Sequence, residues 1–194
     1  MKIVVTSSVT LDGVAQAPGR PDEDLRGGFR HGGWALPYND QVMGQAMGRR
    51  MAEEGSLLLG RRTYEGLFAF WPEQTDGNPF TEVLNQTRKY VASRTLTQPL
   101  PWVNSTLLQG DAVEAVAALR AQPGPNLVVI GSVDLVQQLI RHDLIDEYLL
   151  LIHPLVLGSG RRLFADDGTL RALRMVDSVT TTTGVVIATY KKNA

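Results

Sequence analysis

The chain has 194 residues, 43% of them hydrophobic, a formal net charge of −1 at pH 7 and no cysteine. That length and apolar content suit a single domain spanning 1–194 with a core of its own. The charge balance excludes a general nucleic-acid binder, whose surface carries a basic excess. The lack of cysteine excludes a disulfide framework, a zinc–thiolate site and a thiol nucleophile together.

Met1-Lys2-Ile3-Val4-Val5 lacks the long apolar stretch of a signal peptide, and no run approaches the roughly 18 apolar residues of a membrane span. A soluble cytoplasmic protein without membrane partners is expected. Lys2 to Ser8 is rich in Val and Ile and reads as a strand ending in the loop Thr10-Leu11-Asp12-Gly13. Residues 16–40 are rich in proline and glycine and poor in aliphatics. They read as a long irregular segment, of the kind that serves as a lid or binding loop. A helix follows over 40–54, with Val42, Met43, Ala46, Met47 and Met51 on one face, a stripe read as core packing.

Ser56-Leu57-Leu58-Leu59 reads as a short buried strand running into Gly60-Arg61-Arg62-Thr63-Tyr64-Glu65. The same grammar recurs where Lys89-Tyr90-Val91-Ala92 meets Ser93-Arg94-Thr95, and where Leu127-Val128-Val129-Ile130 meets Gly131-Ser132-Val133-Asp134. Asp111 reads as the N-cap of a helix showing Val113, Val116 and Ala117 inward. Leu135, Val136, Leu139, Ile140 and Leu144 give an amphipathic helix after the third junction. Tyr148 to Val156 is a long apolar strand, and Leu173–Thr182 with Val185–Lys191 alternate around Gly184 as a hairpin would. The expected fold is α/β, three-layered, with a mostly parallel sheet and an antiparallel C-terminal hairpin.

Each strand-to-helix junction has chemistry of its own. At Gly60-Arg61-Arg62-Thr63 a glycine lets backbone approach a ligand, the helix start offers free N–H groups to a phosphate, and two arginines and a hydroxyl add donors. Its bland reading is a basic turn facing solvent. Ser93-Arg94 puts an arginine where the 2′-phosphate that distinguishes NADP from NAD is held, or is an ordinary exposed turn. Gly131-Ser132-Val133-Asp134 can cradle a pyrophosphate on backbone amides, or is a helix N-capped by Ser132 or Asp134. It is not a G-x-G-x-x-G fingerprint, which disfavours an ordinary Rossmann dehydrogenase. Ligands of open α/β sheets lie beyond the carboxyl ends of the strands, so one polyanionic nucleotide accounts for all three junctions.

Other residues are open to two readings. Trp34, Tyr38, Phe70 and Trp71 can stack on a flat ring or clamp a loop. Asp22-Glu23-Asp24 reads as a solvated loop. His31, His142 and His153 are scattered without metal-ligand spacing. His153-Pro154 ends a strand or marks a bend, and Leu157-Gly158-Ser159-Gly160-Arg161-Arg162 is either a second anion contact or a glycine-rich turn.

The order of these motifs resembles the dihydrofolate-reductase-like superfamily, and within it the reductase domain of the riboflavin-biosynthesis deaminase–reductase. The resemblance rests on Thr10-Leu11-Asp12-Gly13, on Leu57 through Glu65, and on Val91-Ala92-Ser93-Arg94-Thr95-Leu96. It continues with Val129-Ile130-Gly131-Ser132 and the run from Asp146-Glu147 through His153-Pro154 to Leu163-Phe164. It implies NADPH as cofactor, with Gly60, Arg61, Arg62 and Thr63 at its phosphates and Ser93 with Arg94 at the adenosine 2′-phosphate. Gly131, Ser132, Val133, Asp134 and Leu135 are implied at the pyrophosphate. The segment from Asp12 to Trp34 is implied to border nicotinamide and substrate, which makes those two residues the substrate candidates. Homodimers are typical of the riboflavin branch.

The implied reaction is hydride transfer to a small heterocyclic substrate. The riboflavin pathway points to 5-amino-6-(5-phosphoribosylamino)uracil, whose ribosyl group is reduced to ribityl. A pterin- or dihydrofolate-type reductase and a non-catalytic NADPH-binding module are the alternatives. Many relatives have a further glycine where this chain has Val133. Folate reductases carry an acid on an early, substrate-facing helix that assists protonation. In the corresponding helix here Asp40 is the nearest catalytic candidate, and it also fits a helix N-cap.

Overall fold

The computed structural model describes residues 1–53, 55–74, 77 and 79–193. Its strands form an eight-stranded sheet of order β4-β3-β2-β5-β1-β6-β8-β7. The chain divides into two compact units, Met1–Val4 with Glu53–Ile145, and Val5–Ala52 with Asp146–Ala194. Strand β1 (Ile3–Thr10) is shared between them. Glu54, the last residue of the helix expected over 40–54, lies outside the described residues.

The first unit is the strand–helix alternation expected from the sequence. β2 (Gly55–Gly60), β3 (Lys89–Ala92), β4 (Ser105–Leu108) and β5 (Asn126–Val129) pair in parallel, with Leu59 beside Val91, Gly60 beside Ala92 and Leu58 beside Val129. Such strands are covered on both faces, and this explains their apolar runs. Helices α2 (Arg61–Phe68), α3 (Pro79–Gln86), α4 (Ala112–Arg120) and α5 (Val133–Arg141) belong to the same unit. Leu57, Leu59, Tyr64, Leu84, Val91 and Trp102 form one core cluster, and Tyr64 Oη accepts the Trp102 N–H at 3.0 Å.

Two expected helix faces need correcting. In α4 the residue buried beside Val116 is Leu119, three positions on, while Ala117 is exposed. Leu144 is not in α5. The helix ends at Arg141, Asp143 takes the left-handed conformation (φ 56°), and the N–H groups of Asp143 and Leu144 return to the carbonyls of Ile140 and Leu139. That is a Schellman-type stop, in which the residue after the left-handed one is often apolar and packs back on the last turn. The apolar spacing therefore continued past the point where the helix ended.

In the second unit β6 (Glu147–His153), β8 (Val186–Lys192) and β7 (Leu173–Thr180) are antiparallel. β6 is shorter than the apolar run because Pro154 has no N–H to continue the ladder. Helix α1 (Gln41–Ala52) lays Met43 and Ala46 on Leu149, Leu151, Val185 and Ile187, so the methionine stripe is core. Strand β7 departs from the expected alternation, since every residue after Leu173 is exposed. The 16–40 segment has only short 3-10 turns, yet it is tied down. Buried Gln16 donates its amide to Asp24 O and Arg26 O, both at 3.0 Å, and accepts the Arg161 N–H at 2.9 Å. Asp24 is ion-paired with Arg26, and Glu23 accepts the N–H groups of Gly19 and Arg20. The acids at 23 and 24 are thus committed to the loop's own architecture rather than simply solvated.

Candidate functional site

Parallel neighbours β3, β2 and β5 lie about 4.8 Å apart, and their carboxyl ends stop at nearly the same level. Gly60, Ser93 and Gly131 therefore come out along one edge of the first unit rather than on different sides of it. The junctions after β2 and β5 interlock. A side chain at Gly60 would put its Cβ 2.3 Å from Ser132 Oγ, and one at Gly131 would meet Thr63 Oγ1 at 2.6 Å. Gly131 has φ 142°, which L side chains rarely adopt, and Gly60 N donates to Gly131 O at 3.1 Å. The Gly131–Ser132 peptide is cis. Only glycine permits this approach of two backbones, and the result is a cradle floored by main chain.

The helices leaving the cradle start without caps. Gly60 is the N-cap of α2 and Ser132 of α5, and neither start has a side-chain cap hydrogen bond. The contrast within the same unit is α4, where Asp111 accepts from the N–H groups of Val113 and Glu114. The Ser132 side chain thus does not do what a plain N-cap does. Two adjacent helix starts without a side-chain cap hydrogen bond present backbone N–H groups and the positive ends of two dipoles, a combination that favours an anion.

Three arginines and a serine lie at or beside these junctions. Arg61 is part-exposed and touches Glu65 at 3.3 Å, a surface pair of little net worth that a phosphate can displace. Arg62 and Arg94 are exposed. Ser93 Oγ accepts from the N–H groups of Thr95 and Leu96, which shapes the turn after β3, and lies 3.5 Å from Thr95 Oγ1. Val133 and Asp134 lie in the first turn of α5, while Leu135 is buried and contributes backbone alone. All eleven residues expected at the cofactor lie in this one unit.

Asp12, Trp34 and Asp40 lie in the second unit. Asp12 accepts from Thr10 Oγ1 at 2.6 Å and from the N–H groups of Leu157 and Gly158. These bonds, the Thr10 hydroxyl first, hold its carboxyl below the usual range. Arg162 Nε donates to Asp12 O, so the glycine-rich 157–162 turn is built around Asp12. Trp34 is buried, donates its indole N–H to Gln16 O at 2.7 Å and meets the His153 ring edge-on at 5.1 Å. Tyr38 meets the same imidazole at 5.5 Å. Burial lowers the pKa of His153, whose Nδ1 lies 2.9 Å from Leu151 O. In the first unit, Trp71 lies edge-on to Phe70 and stacks on Phe80.

Asp40 caps α1 through the Met43 N–H at 2.8 Å and also ties the β7–β8 turn. Its Oδ2 accepts from Thr182 N and Thr182 Oγ1, both at 2.6 Å, and from Thr183 N. The Thr182 hydroxyl above all, then the Met43 N–H, lowers its pKa. Gln16, Tyr64 and the uncapped starts of α2 and α5 are features that sequence reading missed. The first two have no local signal, because their partners are far along the chain.

A model of the RibD C-terminal domain matches residues 1–187. The chain belongs to that family. It is 31% identical over 144 residues to the uncharacterized protein YyaP of Bacillus subtilis, covering 71% of this chain and 74% of that one. A solved structure of a putative riboflavin biosynthesis protein from Shewanella sp. PV-4 superposes with TM-score 0.68 at 22% identity, over 100% of both chains. Dihydrofolate reductase from Enterococcus faecalis, solved with NADP(H) and RAB-propyl, superposes with TM-score 0.62 at 14% identity, over 100% of this chain and 97% of that one. These structures establish the fold as dihydrofolate-reductase-like. Among the described residues no helix is long and apolar enough to cross a membrane.

Proposed function

We propose that this member of the RibD C-terminal domain family is an NADPH-dependent reductase acting on a small nitrogen heterocycle or its ribosylamino adduct. One observation carries the reading. Two neighbouring strand ends are pressed together through glycines, Gly60 on Ser132 and Gly131 on Thr63, and release two helices whose first N–H groups have no side-chain cap. A cradle that a Cβ would fill, floored by backbone donors, fits a dinucleotide's phosphates. NADPH, when bound, supplies a hydride.

Gly60, Thr63 and the start of α2 would hold one part of the phosphate chain, with Arg61 exchanging Glu65 for it. Gly131 to Leu135 would hold the pyrophosphate through main-chain N–H groups. Ser93 would donate its hydroxyl proton, and Arg94 its guanidinium N–H groups, to the adenosine 2′-phosphate, which would give the preference for NADPH over NADH. Asp12 and Trp34 act by shaping the 11–40 segment. Asp40 stays ionised near neutral pH, holding the start of α1 and the hairpin turn, so the proton that balances the hydride comes from water. The catalytic contribution is chiefly positioning and exclusion of solvent. Membership of the family favours 5-amino-6-(5-phosphoribosylamino)uracil as the substrate.

The test is spectrophotometric NADPH oxidation against a panel of that compound, pterins and dihydrofolate, with NADH in parallel. Turnover of the ribosylaminouracil with NADPH is expected, and Arg94→Ala should erase the preference for NADPH over NADH. Tight NADPH binding with no turnover on any substrate would make the protein a binding module. Equal binding of NADH and NADPH by the unmodified protein would remove Ser93 and Arg94 from the site.

A further inference from the structure

At the amino ends of β3 and β4 the first unit carries a groove of about 690 Å³, a volume within the range of small-molecule sites. Gln86, Arg88, Tyr90, Trp102, Asn104 and Thr106 are among the residues that line it. Arg88 precedes Ser93 by five positions, so about 16 Å of extended chain separates the groove from the nucleotide edge at the carboxyl ends.

The groove has a cationic end. Tyr90 pairs with Thr106 in the parallel ladder and Arg88 stands two residues before Tyr90, so all three share one face. Arg88 Nη1 lies 3.5 Å from Tyr90 Oη, and among the described residues no carboxylate pairs with this exposed guanidinium. Most of its five N–H donors are open to a ligand, and no acidic side chain lines the groove to oppose an anion.

Asn104 and Gln86 present the opposite polarity. Asn104 commits its amide nitrogen to Asn85 O and Gln86 O, and Gln86 gives its own to Glu82 Oε1. Each is left with a carboxamide oxygen, which only accepts. A cation beside two acceptors complements an anion carried on a body with O–H donors.

The wall is set before anything binds. The Trp102 N–H donates to Tyr64 Oη at 3.0 Å, the Trp102 indole N–H to Asn85 Oδ1 at 2.6 Å, and Lys89 Nζ to Val103 O at 3.1 Å. A preformed site avoids the ordering cost that weakens binding to a mobile loop.

We propose that this groove is a second small-molecule site, separate from the nucleotide cradle. It takes a hydroxylated phosphate or carboxylate, with the anionic group on Arg88 and Tyr90 and the hydroxyls on Asn104 and Gln86. The site stands whether or not the cradle takes NADPH.

Heteronuclear NMR of the full chain, titrated with ribose 5-phosphate and separately with gluconate, decides it. Saturable shifts at the amides of 86–106 and at the Trp102 indole N–H are expected with at least one, and the tighter of the two identifies the anion as phosphate or carboxylate. Ribose and inorganic phosphate alone should each bind about tenfold more weakly, because each lacks half of the complement. Arg88→Gln should weaken binding about tenfold or more, and so should Thr106→Glu, which sets a carboxylate on the Arg88 face at an exposed edge position. Circular dichroism checks folding, and should one variant misfold, the other still decides. No saturable shift up to about 10 mM overturns the proposal, as do shifts confined to 60–63 and 131–135. Unchanged affinity in a folded variant overturns it too, and inorganic phosphate binding as tightly as ribose 5-phosphate would leave an adventitious ion only.

Discussion

Replacing Gly131 by alanine sets a methyl group 2.6 Å from Thr63 Oγ1 and 3.2 Å from its Cγ2, at a residue whose φ is 142°. Two costs add. Holding a non-glycine residue in that region of backbone space costs about 1–3 kcal/mol. Forcing one extra carbon into a packed contact costs about 1–3 kcal/mol more. The variant should lose about 2–6 kcal/mol, and at roughly 2–4 °C per kcal/mol for a chain of this size its Tm falls by about 4–24 °C. Removing the obstacle separates the terms. Thr63→Ala deletes Oγ1 and Cγ2 and leaves the Cβ of that side chain at 3.4 Å. The double variant should therefore recover the crowding cost but not the backbone cost, a coupling of about 1–3 kcal/mol in a double-mutant cycle. Denaturant unfolding followed by tryptophan fluorescence measures both. In parallel, NADPH titration of Gly131→Ala should show affinity lowered about tenfold or more, because the first N–H groups of α5 shift with residue 131. Stability within about 0.5 kcal/mol of the unmodified protein, together with unchanged NADPH binding, would refute the account of the cradle.

Lys89 is buried, donates to Asn85 O, Thr87 O and Val103 O and lies 4.5 Å from the Trp102 ring centre, and burial lowers its pKa from 10.5 to about 8. Between those values the unfolded chain keeps a proton that the folded one has lost. Stability should thus rise with pH across that window by at most about 3 kcal/mol, and Lys89→Met should lack the rise in pH-resolved denaturant melts. Gly44 and Gly48 sit exposed within α1 with open space around the missing Cβ. Alanine at either should stabilise by about 0.5–1 kcal/mol in thermal melts, and a loss of stability would show a neighbour that the helix face needs close. Asp40→Asn should lower stability near neutral pH. Its effect should shrink as pH falls from 3.8 through the lower folded pKa, since the ionised carboxylate is what Thr182 and Met43 bind. Turnover per folded molecule should survive that change, and its collapse with an intact melting curve would return Asp40 to catalysis.

The frame of this fold was legible wherever the determinants were local. Leu57 to Leu59, Lys89 to Ala92 and Leu127 to Val129 announced buried parallel strands, and the glycine or serine after each marked the edge where a nucleotide would sit. What stayed hidden depends on partners distant in sequence. Nothing near Gly60 says that Ser132 fills the space above it, and nothing near Gly131 says the same of Thr63. Asp40 and Asp12 read as loop or cap acids, yet each reaches more than 100 residues along the chain, to Thr182 and to Gly158. Leu144 misled through its spacing, because a helix stop with a left-handed residue preserves the apolar rhythm after the helix has ended. In β7 the alternation was present but no layer covers it, and alternation alone does not reveal whether a face is buried.

Within the long proline- and glycine-rich stretch, one carboxamide joins three main-chain points. Gln16 offers two donors to main-chain oxygens and one acceptor to a main-chain nitrogen, all inside the protein. A primary amide carries no charge in any ordinary buffer, so this fastening is indifferent to acidity and to added salt. Its weakness is hydrolysis. Conversion to glutamate would turn the donating end toward two carbonyl oxygens as an anion, and the chemical ageing of a single side chain would break the tie to Asp24 and Arg26.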